Sequence, residues 1–99
     1  MRQGSTPTHR YTIPIPTDQI TDIAITYQQN GQTKIEKGFA DCTFEGYVVS
    51  VCLTQEDTFN LDAGCSVKIQ IKFKTLDGNV IPLKPRLVSC GECLCKRVL

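Results

Sequence analysis

Six cysteines and one histidine are the residues of this 99-residue chain best suited to chemistry. Three of the cysteines sit together near the end, in Cys90-Gly91-Glu92-Cys93-Leu94-Cys95. Thiolates spaced in this way can converge on one soft ion, and a C-x-x-C turn is half of many zinc sites. A fourth ligand would come from Cys42, Cys52, Cys65 or His9. Three readings of this tail stay open: reduced thiols without a ligand, zinc on Cys90, Cys93 and Cys95, or a disulfide. Redox catalysis fits poorly, because that motif usually opens a helix in an α/β fold, where the dipole lowers the thiol pKa.

Other constellations are weaker. Any catalytic triad or Cys-His dyad would have to use His9, which adjoins a polar arm and reads as a surface histidine. The chain carries no G-x-S-x-G, P-loop, G-x-G-x-x-G or H-E-x-x-H motif. Glu56 and Asp57 are adjacent acids in a turn, where they serve as capping groups. Asp41 and Glu45 flank a short strand. No catalytic or cofactor-binding residue is assigned. Lys68, Lys72 and Lys74 form a basic row on one face of a strand, with Lys84 and Arg86 beside it across a hairpin. The row reads either as a contact face or as a solvated face that discourages edge-to-edge aggregation. No aromatic residue is interleaved for base stacking, which counts against single-stranded nucleic acid.

The elements that must position these residues are strands. Ile, Val and Thr together number 27 against 3 Ala, a balance that favours strands over helices. Period-2 alternation marks Tyr11-Ile13-Ile15, Ile23-Ile25-Tyr27, Tyr47-Val49-Val51-Leu53 and Val67-Ile69-Ile71-Phe73 as inward rows. Pro14 suits an edge strand, since it has no N–H. Thr17 or Asp18 is a candidate cap for a helical turn. Asn30-Gly31 and Asp77-Gly78 are hairpin signals. A strand with Ile35 inward returns from the first, and a short strand is expected near Cys42 to Phe44. Thr54 followed by Asp57 resembles a capping box, in a turn that would cross between sheets. Val80 to Val88 is broken by Pro82 and Pro85. With Ile35, the four inward rows without Tyr47 make the expected core. Cys42, Cys52 and Cys65 read as packing residues.

No run shows the 3.6 period of an amphipathic helix. The pattern gives an all-β fold: an immunoglobulin-like antiparallel β-sandwich of about seven strands, with a small β-barrel as runner-up. Residues 1–99 form a single domain, with a polar N-terminal arm over 1–8 and a Cys-rich C-terminal tail over 90–99. No apolar segment reaches the 18 residues of a membrane span, and the first residues lack the apolar core of a secretory signal. The expected location is a reducing cytoplasm.

Net charge is +1, which argues against non-specific nucleic-acid binding. Its distribution is lopsided. Residues 1–65 carry 4 basic and 8 acidic groups, a balance of −4, and residues 66–99 carry 7 and 2, a balance of +5.

Three stretches resemble a known group. Met1-Arg2-Gln3-Gly4-Ser5-Thr6-Pro7-Thr8-His9, Asp41-Cys42-Thr43 and Leu53-Thr54-Gln55-Glu56-Asp57-Thr58 are similar to small uncharacterised proteins encoded by phages and prophages of Gram-positive bacteria. Genes of that group lie among virion structural genes. The resemblance covers most of residues 1–89, and the Cys-rich tail departs from it. It implies a non-enzymatic virion or assembly component in the bacterial host, working through a protein partner or head-to-tail self-association. The alternative from the residues alone is a small binding module stabilised by zinc on the tail cysteines.

Overall fold

Strand pairing begins at Asn30-Gly31. In the computed structural model, which describes residues 4–88, these two residues have φ of 52° and 77°. A two-residue type I′ turn needs positive φ at both positions, and Asn and Gly tolerate it best. The turn joins β2 (Ile20–Gln29) to β3 (Gln32–Lys37). Asp77-Gly78 makes a different hairpin. Only Gly78 has positive φ, at 83°, and Thr75 N–H donates to Asn79 O (2.9 Å). The connection is therefore a three-residue loop with glycine in the left-handed position, linking β6 (Val67–Thr75) to β7 (Val80–Pro82).

The remaining strands are β1 (Thr8–Thr12), β4 (Cys42–Glu45), β5 (Val48–Cys52) and β8 (Arg86–Val88), eight in all among the described residues. One turn of helix, α1 (Gln55–Phe59), lies between β5 and β6. Thr54 Oγ1 accepts from Asp57 N–H (3.1 Å) and Asp57 Oδ2 accepts from Thr54 N–H (2.9 Å). This is the expected capping box, and α1 does cross from one sheet to the other. Thr17 and Asp18 do not cap. The short 3-10 turn Thr17–Gln19 follows Pro16, which makes no side-chain cap bond. Thr17 Oγ1 donates instead to Gly46 O (2.8 Å), tying the β1–β2 connection to the β4–β5 turn.

The strands form a three-stranded sheet, β1-β5-β4, and a five-stranded sheet, β3-β2-β6 with β7 and β8 both on the far side of β6. All pairings are antiparallel. This is the immunoglobulin-like order. β1, β5 and β4 take the positions lettered B, E and D. β3, β2 and β6 take C′, C and F, and β7 with β8 takes G. Position A, which would border β1, is vacant among the described residues. One strand more than the expected seven arises because Pro82 and Pro85 break the last strand in two.

One apolar core lies between the sheets. Every expected core residue except Ile15 is buried, and Ile15 packs half-buried against the cluster. Ile20 and Leu61 are also buried. Tyr47 does not continue the inward row of β5. It lies in the β4–β5 turn, before the strand begins, and is 53% exposed. The arm is shorter than expected. Thr8 belongs to β1, and residues before it are held by Thr58 Oγ1 donating to Ser5 O (2.8 Å) and Leu53 N–H to Pro7 O (3.0 Å). No helix among the described residues is long and apolar enough to cross a membrane.

Candidate contact surfaces

The basic residues divide between two surfaces. Alternation along β6 turns Lys68, Lys72 and Lys74 outward, all exposed. They stand opposite Gln28, Ala24 and Asp22 of β2 on one side. Leu87, Pro82 and Val80 of the outer strands stand on the other. Val80 and Leu87 are themselves 55% and 69% exposed. None of the three lysines joins an ion pair among the described residues.

Lys84 and Arg86 do not extend this row. Arg86 is paired with Ile69, whose side chain points into the core, so register turns Arg86 to the same side. Its guanidinium lies 5.8 Å from the centre of the Tyr11 ring, within cation–π range. Lys84, Arg86 and Leu83 form one wall of a groove of about 360 Å³, with Tyr11 on the other wall and Ile69 and Ile71 on the floor. The groove exists because the chain leaves β6 between β7 and β8. Pro82 and Pro85 cannot supply ladder N–H groups there.

The groove runs beside β1, an edge strand. Leu53 N–H donates to Pro7 O and Ile13 N–H to Tyr47 O. With the β1–β5 register, this fixes which backbone groups face β5: those of His9 and Tyr11. The N–H and C=O groups of Thr8, Arg10 and Thr12 then face the open edge. Pro14 lies in the same outward series, so its missing N–H costs no ladder bond.

The opposite side of the sandwich is acidic. β3 and β4 are the edge strands there. Their lysines are paired, Lys37 Nζ with Asp57 Oδ2 at 2.8 Å and Lys34 Nζ with Asp62 Oδ2 at 3.6 Å. Glu36, Asp41 and Glu45 remain exposed and outside these pairs. Among the described residues, these acids lie on or beside the β3 and β4 edges, away from Lys84 and Arg86 in the groove, while Arg10 shares a hollow on the outer face of the smaller sheet with Glu45.

His9 is not a surface residue. It lies half-buried on the inward side of β1. Its Nδ1 is hydrogen-bonded to the Tyr27 hydroxyl (2.8 Å), which is bonded in turn to the Tyr11 hydroxyl (3.1 Å). Burial lowers the His9 imidazole and raises both phenols, Tyr27 far above the ordinary range. All three groups are neutral at neutral pH, and the Cys42 thiol lies close enough to push both phenols up further. The network acts as a polar staple joining β1 of one sheet to β2 of the other. The inward row of β1 extends back from Tyr11 to His9, a polar residue that hydrophobic alternation alone does not mark.

Cys90, Cys93 and Cys95 lie outside the described residues. Among those described, no three His, Cys, Asp or Glu side chains are grouped to hold a metal. Cys42 donates from Sγ to Gly38 O (3.4 Å), and burial pushes its thiol up. Cys52 is exposed and Cys65 half-buried, both as free thiols.

No family model, curated protein or solved structure matches this chain.

Proposed function

We propose that the protein works by contact rather than by chemistry, as a small structural subunit that meets further copies of itself head to tail. The observation that carries this reading is the placement of opposite charge on opposite edges of one sandwich. The basic side holds Lys84 and Arg86, with the β6 lysine row next to it. The acidic side holds Glu36, Asp41 and Glu45. Such a surface is complementary to another copy of itself, but not through a two-fold axis. Heterologous contacts of this kind close into rings or extend into filaments. The resemblance to phage and prophage proteins supports placing such an assembly in a virion, or in virion assembly within the host cytoplasm.

Native mass spectrometry and light scattering test the reading with two charge-reversed variants. Glu36→Lys with Glu45→Lys leaves a copy with two basic edges. Lys84→Glu with Arg86→Glu leaves one with two acidic edges. Each variant alone is expected to be monomeric where the wild type associates, and an equimolar mixture is expected to associate again. Association of the wild type should weaken between about 0.1 M and about 1 M salt, as the screening length falls from ~10 Å to ~3 Å. A wild type that stays monomeric at high concentration, or a mixture that stays monomeric, overturns the proposal.

A further inference from the structure

The open edge of β1 and the groove beside it were formed by different parts of the chain, yet they make one surface. Three successive outward backbone pairs, at Thr8, Arg10 and Thr12, have no neighbouring strand among the described residues. Unpaired edges of this kind are usually blunted by proline, a bulge or an inward charge. Proline does blunt the β7–β8 edge, through Pro82 and Pro85. β1 has none of these devices within its five residues. The place beside it is the A position of the sandwich, which no described residue fills. A strand there would turn alternate side chains inward, over Ile69, Ile71 and Leu83, and the others outward beside Arg10. Lys84 and Arg86 line the rim, so both charged side chains lining the groove are basic.

We propose that this edge and groove accept an extended segment of a partner protein, alternating aliphatic and acidic residues, which adds as a fourth strand to the three-stranded sheet. Main-chain hydrogen bonds to Thr8, Arg10 and Thr12 give the binding. The apolar floor selects the inward residues, and the basic rim selects carboxylates. This site does not depend on self-association. The protein can be held monomeric, by dilution or by the Glu36→Lys, Glu45→Lys variant, whose changes lie outside the groove, and the site remains.

The probe is a blocked peptide of alternating valine and glutamate, with a valine–lysine peptide as control. It is added to the isotope-labelled full chain, and amide hydrogen exchange is followed by NMR. In the free monomer, the amides of Thr8, Arg10 and Thr12 exchange fast, while those of His9 and Tyr11 are protected by β5. The valine–glutamate peptide should slow the first set about tenfold or more and leave the second unchanged, with the lysine peptide about tenfold weaker. Arg10→Pro removes an edge donor without touching the β5 ladder and should abolish binding. Arg86→Glu, which leaves the backbone alone, should reverse the preference between the peptides and decides the matter if the proline variant does not fold. Equal binding of both peptides overturns the proposal, as do perturbations mapping elsewhere. So does prior protection of Thr8, Arg10 and Thr12 in the free monomer, which would mean that the chain's own terminal residues already fill the edge.

Discussion

Replacing Tyr27 with Phe removes one oxygen atom from the centre of the polar staple. Tyr27 is completely buried, and its hydroxyl holds His9 at 2.8 Å and Tyr11 at 3.1 Å. Each bond contributes about 1 kcal/mol net, and a buried partner left unsatisfied adds about 1 kcal/mol or more. His9 is only half-buried and can turn to water, so its share lies at the low end. Tyr11 is 5% exposed, so its hydroxyl is left with little access to water. The loss should come to about 2–3 kcal/mol. In a domain of this size, each kcal/mol lowers Tm by about 4–8 °C, so a fall of roughly 10–20 °C is expected. Urea unfolding followed by circular dichroism gives the free energy directly, provided the slope with denaturant is unchanged. Tyr11→Phe should cost about 1 kcal/mol, and the double variant less than the sum of the two, since both delete the same bond. A Tyr27→Phe loss below about 0.5 kcal/mol, with an unchanged slope, would refute the idea that the staple holds the sheets in register.

Other perturbations test other parts of the frame. Gln29 is buried and grips the loop before β6, donating from Nε2 to Asp62 O (2.8 Å) and accepting at Oε1 from Asp62 N–H (2.6 Å). Gln29→Leu should cost about 2–3 kcal/mol in urea unfolding and speed amide exchange over residues 62–65. Thr54→Ala removes the cap of α1 and should cost about 1 kcal/mol by the same assay. Acid should destabilise the protein in two steps. Burial holds His9 below its ordinary 6.5, so the unfolded chain takes up the proton first. That stability is complete above about pH 6.5 and lost as pH falls through the folded value, and a His9→Gln variant should flatten the urea midpoint over this range. Burial alone would raise Asp57, but the Lys37 ion pair and the Thr54 hydrogen bonds outweigh it and hold the carboxyl below 3.8. Its contribution is present above that pH and disappears in stronger acid, a loss that Lys37→Met should remove from the titration.

Most of the fold was legible because alternation is a local property. The inward rows of β2 and β6 are visible in any window of eight residues, and they lie side by side in the larger sheet. Asn30-Gly31 and the Thr54–Asp57 box were equally local. What escaped was set by distant partners. Tyr47 shares the period of β5 but falls in the turn, because β5 pairs with β4 only from Val48 onward. Leu61 has no periodic neighbour to announce it. The basic contact face was half legible: β6 alone fixes the outward lysines, whereas the direction of Arg86 depends on its register with Ile69. The groove could not be read at all, since it arises where the proline-broken strand passes β1, about seventy residues away in sequence.

The pairing order also sets a timetable for biosynthesis. β1 has its ladder partner in β5, and β2 has its longest in β6, each separated by some forty residues. A chain emerging from its first residue can therefore close only the β2–β3 hairpin at first. The three-stranded sheet waits for Val48–Cys52 and the larger one for Val67–Thr75. Loop-closure entropy must be met before either long-range pairing gains anything, which makes assembly slow relative to a helical domain of equal length. During that interval the apolar faces of β1 and β2 are uncovered on the nascent chain, and the polar groups of His9 and Tyr27 are still in water. The staple between them can form only when both sheets exist, so its formation marks completion of the fold.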